Sequence, residues 1–228
     1  MTEQAITIAD QIFAEIRKEI VEGHIPQGSK ISEPELARRF GISRGPLREA
    51  MRRLESSSLV VRRANIGARV ITLSTEQLLE IYHVREALEG MAARLAAKHM
   101  TEDELAELQR LIGRHREQVE QEHGSSYFQR EGDLDFHFCI VRGSHNDRLQ
   151  FLLCNDLYHL VRMYRCQFAM ISPRAPAALR EHERIVEAIV ERDGELAEVL
   201  MRRHIKASRR HVEKRLRDGL AASANKPH

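Results

Sequence analysis

The apolar positions of this chain recur mostly at helical spacing. Ile8, Ile12, Ile16 and Ile20 follow one another at steps of four, with Phe13 beside them, which predicts an amphipathic helix over 7–22. Gly23 ends it, and the HIPQGSK stretch carries the Pro and Gly of a loop. Ser32 and Glu35 have the spacing of a capping box for a short helix over 33–40, which stops at Gly41. Ile42 fills a turn, and Ser43 caps a second short helix running to about 56. That helix buries Leu47, Met51 and Leu54 and tolerates Pro46 in its first turn. The pattern then changes period. Leu59–Val61 and Ala68–Leu73 are short β-type runs, separated by a polar link with Gly67 where a positive φ is useful.

Beyond Leu73 helical spacing returns and persists. Helices are predicted over 75–98, 102–121, 125–143, 146–171, 177–192 and 195–217. The first two start with the capping pairs Ser74/Gln77 and Thr101/Glu104. The expectation is a mainly α protein in two domains. Residues 1–73 form a winged helix–turn–helix with a small two-stranded β-wing. Residues 74–220 form an all-α antiparallel helical bundle, and 221–228 form a disordered tail.

Charge sharpens the first domain. The whole chain is only +2, yet residues 38–69 hold nine Lys/Arg against two Glu, net +7, which leaves −5 for the rest. A basic block on one small domain marks a nucleic-acid reader, whereas a solvated face mixes signs. In a helix–turn–helix the second helix enters the major groove by its N-terminal residues. Arg44 and Arg48, one turn apart at that end, are the candidates for reading guanine edges. Arg38, Arg39, Arg52 and Arg53 suit phosphates or solvent; Arg62, Arg63 and Arg69 suit a wing tracking the backbone, with Gly67 letting its tip approach a groove. The three cysteines form no CxxC pair and sit in apolar helical surroundings, as expected of reduced thiols in a cytoplasmic protein. The N-terminus lacks a signal-peptide pattern, and no apolar run is long enough to span a membrane.

The segment SEPELARRFGISRGPLREAMRRLESSSLVVRRANIGARV resembles the signature of GntR-family bacterial transcription regulators, E-x-x-L-A-x-x-x-G-[VI]-S-R-x-P-[VL]-R-E-A-L, and the likeness covers 7–73. Some members carry a DNA-contacting arginine where Pro34 stands, and several have a polar residue where Ile66 stands, so neither position is assigned a contact. The resemblance implies a sequence-specific regulator of double-stranded DNA. It would be a homodimer on a palindromic operator, with repression the commoner sign.

The helical half carries ionisable residues on apolar faces. Asp133 and His137 are four apart, among Phe136, Ile140 and Val141. His182 lies in line with Leu179, Ile185 and Ile189, and His204 with Leu196 and Leu200. Each of the twelve histidines taken singly reads more simply as a hydrogen-bonded core or surface residue. Three imidazoles and a carboxylate converging from three helices are a metal site by type. These positions also resemble the FCD ligand-binding domain of the FadR-like subgroup, over about 75–215, where they hold a divalent ion. Zinc comes first, with nickel and manganese also fitting such donors.

Arg85 sits on a face that should be buried, at the spacing of Leu78, Tyr82, Leu88 and Ala92. It pairs with Glu89 four residues on, or it anchors an anion. The VREALE segment resembles the family's Arg-x-x-Leu-Glu motif, whose arginine holds the carboxylate of a small organic acid effector. Tyr82, Asn155, Tyr158 and Arg162 are candidates to line the same cavity. Two other readings differ in class. In one the metal itself is the signal. In the other the chain is an enzyme whose ion activates water, but no further acid or base is evident and the DNA-reading half would go unexplained. The expectation is a regulator, not an enzyme.

Overall fold

A computed structural model describes residues 7–63, 67–121, 135–168 and 174–224. Its elements in chain order are α1 (Ile8–Glu22), β1 (Lys30–Ile31), α2 (Glu33–Phe40), α3 (Arg44–Ser56), β2 (Val60–Arg63) and β3 (Gly67–Val70). There follow α4 (Thr75–His99), α5 (Glu102–Gln121), α6 (Phe136–Gly143) and α7 (Asp147–Gln150). A π-helical stretch, Phe151–Leu157, leads into α8 (Tyr158–Phe168), and α9 (Ala175–Val190) and α10 (Gly194–Ala224) close the chain.

The chain divides into two compact units. The first comprises residues up to 73 together with 155–169. Its core is built on α1, whose Ile12, Ile16, Ile20 and Val21 are buried. Leu47, Met51 and Leu54 of α3 are buried as their spacing predicts, and burying each such side chain is worth about 1.5–3 kcal/mol. α1 packs on both α3 and α8. The sequence groups 155–169 with the bundle half; by contact they cluster with the first unit.

The wing has one strand more than expected. β3 pairs antiparallel with β2 on one side and with β1 on the other, giving the order β1-β3-β2. A two-residue strand is too short to show a period of two, so Lys30–Ile31 reads as loop in the sequence. Gly67 has φ +88°, which favours glycine.

The second unit holds residues 74–154 and 170 onward. It is organised on α4, which packs against α10, α6 and α9. The capping boxes at Ser74/Gln77 and Thr101/Glu104 both form. Ser32 and Ser43 occupy N-cap positions, but neither side chain makes the cap hydrogen bond. A further box, Thr7 with Asp10, opens α1.

Two predicted helices are corrected. The stretch 146–171 is not one α-helix: α7 ends at Gln150 and the backbone widens to π-helix before α8. The stretch 125–143 is not one helix either. Asp135 has extended backbone (φ −98°, ψ 122°) and caps α6 by accepting from the His137 and Phe138 N–H groups. Asp commonly competes for such a role with helix continuation. Asp133 and residues 122–134 generally lie outside the described residues. The expected pairing of Asp133 with His137 on one helix face falls on those residues. α10 continues to Ala224, into the stretch expected to be a tail, and 225–228 lie outside the described residues.

Candidate functional site: a basic helix–turn–helix and a three-histidine centre

In the first unit the structure sorts the arginines by what already holds them. Arg53 pairs with Asp10 and stacks over Phe13, tying α3 to α1. Arg39 pairs with Glu19 and lies over Phe40. Arg62 bridges Glu33 and Glu55 at 2.8 and 2.9 Å, and Arg69 donates to the Gly28 carbonyl at 2.8 Å. These four brace the domain. Arg38 is exposed and donates weakly to Pro34 O at 3.4 Å. Arg44, Arg48 and Arg63 are exposed and, among the described residues, engage no carboxylate. Arg52 is exposed and meets Glu49 at 2.9 Å, an i,i+3 pair that solvent makes weak. Arg44, Arg48 and Arg52 therefore form an open cationic stripe along α3, beginning at its N-terminus. Arg63 and Gly67 flank the wing tip, whose Ile66 lies outside the described residues. Pro34 is exposed at the start of α2.

In the second unit His137 on α6, His182 on α9 and His204 on α10 come together, all buried. Their candidate ligand atoms lie within 4.8 Å of one another. His182 Nε2 and His204 Nε2 are 3.1 Å apart. Two nitrogens bound to one ion at ~2.0–2.1 Å, at angles between octahedral and tetrahedral, stand roughly 2.9–3.4 Å apart. That pair already has the bite of a metal site.

The surroundings fix which nitrogen faces inward. Glu89 Oε2 lies 2.6 Å from His137 Nδ1, and Glu181 Oε2 lies 2.7 Å from His204 Nδ1. A carboxylate only accepts, so each Nδ1 carries the proton and donates it. The Nε2 lone pairs are then left for an ion, the arrangement that raises ligand basicity. Burial alone would raise the Glu89 pKa, but Arg85 and His137 outweigh it and hold the carboxyl at about 2. Glu181 is lowered by His204 and Arg174 against the opposing effect of burial. His182 stacks on Phe136 with ring centroids 3.9 Å apart, which fixes its plane. The donor set fits a borderline divalent ion.

Sequence reasoning missed Glu181 as a supporting residue and took Glu89 only as a partner of Arg85. Glu89 had a signal, being four residues beyond Arg85 on the buried face. Glu181 had only its place beside His182.

Arg85 is buried, with its Nε 2.6 Å from Glu89 Oε1 and its guanidinium over the Tyr82 ring at 5.1 Å. Among the described residues Glu89 is its hydrogen-bond partner. Arg85, Glu89 and His137 thus form one chain. Tyr158 and Arg162 lie on α8 in the first unit, and the Asn155 side chain lies outside the described residues. The three cysteines form no disulfide, and the Cys154 thiol is pushed up to about 12, chiefly by burial, so it remains protonated.

His204 gives the site a pH signature. Burial, reinforced by His137 and opposed by the Glu181 hydrogen bond, lowers its pKa from 6.5 to about 4. The folded chain keeps this imidazole neutral where the unfolded chain binds a proton. The stability is complete above pH 6.5 and is lost as pH falls toward 4. In chelated protein, chemical denaturation should show wild type losing up to about 1.4 kcal/mol per pH unit more than His204→Gln across that window. Equal slopes would mean that His204 is not buried neutral.

The gntR family profile of bacterial regulatory proteins matches residues 8–70, and the FCD domain profile matches residues 80–207. The chain belongs to the GntR family of bacterial regulators. The likeness extends over most of its length. An uncharacterised helix–turn–helix transcriptional regulator of Bacillus subtilis, YdhC, is 31% identical over 92% of this chain and 92% of its own. A probable D-xylose utilization operon transcriptional repressor of Paenarthrobacter nicotinovorans is 34% identical over 88% and 87%. The transcriptional repressor RspR of Escherichia coli is 29% identical over 87% and 86%. Among solved structures, E. coli McbR/YncC shares the fold with a TM-score of 0.71 at 21% identity, covering 92% of this chain and 99% of its own. This GntR protein is therefore a DNA-binding transcription regulator with an FCD domain, and not an enzyme. No helix among its described residues is long and apolar enough to cross a membrane.

Proposed function

We propose that this regulator is a homodimeric repressor of a palindromic operator, released by a small organic acid held at a divalent ion in the FCD domain. The observation that carries the reading is the set of three buried histidines, two with Nδ1 engaged by carboxylates. His137, His182 and His204 would hold the ion, with Asp133 the fourth ligand expected from the sequence. Zinc is the first expectation for this donor set. When bound, the ion supplies positive charge and open coordination positions for an oxygen ligand.

The chain's own residues do the rest. Glu89 orients His137 and braces Arg85, so the anchor proposed for the acid's carboxylate is joined to a metal ligand through one side chain. Tyr82 supports Arg85 from below. An acid that bound both DNA-competent and DNA-free states equally would shift nothing. Differential binding at this site is therefore what regulation requires. Exposed Arg44 and Arg48 supply base readout, while Arg38, Arg52 and Arg63 supply phosphate contacts.

The test is a thermal-shift screen of the full chain against mono-, di- and tricarboxylates, with and without chelation. One acid should raise Tm, and chelation should abolish the rise. At a free concentration 100 times Kd the expected stabilisation is about 2.7 kcal/mol. A rise that survives verified metal removal would overturn the metal-held effector.

A further inference from the structure

Arg174 stands at the N-cap position of α9, with its side chain only 16% exposed. It makes no side-chain cap hydrogen bond to its own helix, so capping does not account for it. Its guanidinium reaches two helices instead. Nη2 donates to Glu181 Oε2 at 2.5 Å, two turns along α9, and Nη1 donates to Ser208 Oγ at 3.2 Å on α10. The same Glu181 oxygen accepts from His204 Nδ1 at 2.7 Å. Glu181 directly precedes His182, and Ser208 is one turn beyond His204. Arg174 thus bridges the two helices that carry the closely spaced pair of imidazoles, next to that pair.

Glu181 needs such a hold. At one-third exposure, a carboxylate on a long side chain has rotamers open to it that point into solvent. Two donors on one oxygen remove them. With the carboxylate fixed, His204 keeps its ring plane and its Nδ1 proton, and its Nε2 stays 3.1 Å from that of His182. The positive charge of Arg174 works in the other direction, since it repels a cation and makes the carboxylate a weaker acceptor. That effect is offset by the negative charge of Glu181 and screened by the solvent that reaches it. Orientation outweighs repulsion.

We propose that Arg174 is a positioning residue of the three-histidine centre, acting on His204 through Glu181, a role that rests on the divalent-ion reading of the preceding subsection.

Zinc affinity of the full chain, measured by competition with a chromophoric chelator, tests it. Arg174→Met should weaken zinc binding about tenfold, the lower end of what an outer partner contributes. Arg174→Lys should recover most of the loss, because one ammonium still reaches Glu181. The deciding measurement is a double-mutant cycle with Glu181→Gln. If Arg174 acts through Glu181, Arg174→Met should cost no further affinity once Glu181→Gln is present. A residue that only staples α9 to α10 would instead give losses that add, with no rescue by lysine. Arg174→Gln provides the same cycle if the methionine variant fails to fold, as circular dichroism would show. Additive losses, or affinity unchanged or tightened in a folded Arg174→Met variant, would overturn this role while leaving the centre standing. Wild type that binds no zinc would overturn the centre and this role together.

Discussion

Replacing both His182 and His204 with alanine is expected to abolish stoichiometric binding of a divalent ion. These two imidazoles supply the pair of nitrogens already spaced for one metal, 3.1 Å apart. Without them only His137 remains of the buried histidine set. Atomic-emission analysis of purified protein should fall from about one ion per chain to background. The truncations also open space in the core, so a folded double variant must be verified by circular dichroism. Glu181→Gln provides a gentler second variant. Glu181 is one-third exposed, so the fold tolerates the change, while His204 loses its anionic support. Loss of such an outer partner costs about 10–100-fold in metal affinity. Full ion content in the folded double variant would eliminate the proposed centre. Unchanged affinity in Glu181→Gln would show that the carboxylate only caps the imidazole without tuning it. Glu89→Gln is a poorer probe, because it would leave buried Arg85 without its counter-charge and risk the fold.

Arg48→Ala should remove most of the operator preference while leaving the fold and the FCD domain unaffected. Arg48 is exposed on α3 and, unlike Arg53 or Arg62, engages no carboxylate among the described residues. Its loss therefore costs the domain no internal support. A bidentate arginine–guanine contact gives about 1–3 kcal/mol of discrimination, which corresponds to roughly 5–150-fold in the specific-to-nonspecific ratio. Mobility-shift titrations against operator and scrambled duplexes at fixed salt would measure it. Arg52→Ala is the internal comparison, expected to weaken both duplexes alike, since phosphate contacts carry affinity without sequence. A ratio unchanged in Arg48→Ala would remove this residue from base readout.

The sequence by itself determined the elements whose period is long and whose punctuation is local. The isoleucines of α1, the Gly41 stop of α2, the capping pairs at Ser74 and Thr101 and the single-sign block of arginines are all local features, and local rules read them. The three histidines were singled out only in combination and through the resemblance to the FCD domain, since each alone on its apolar helical face reads more simply as a core or surface residue. Only the tertiary structure decided which arginines are available to DNA. Arg53 and Arg48 look alike in the sequence, and the difference is that Asp10, far away in the chain, reaches one of them. The same holds for Glu181 and Glu89, whose roles depend on which imidazole nitrogen lies within hydrogen-bond reach. The break at Asp135 depended on a competition between helix continuation and side-chain capping that periodicity does not resolve. Burial and pairing are properties of neighbours brought together from distant parts of the chain, and hydrophobic spacing along one segment carries no record of them.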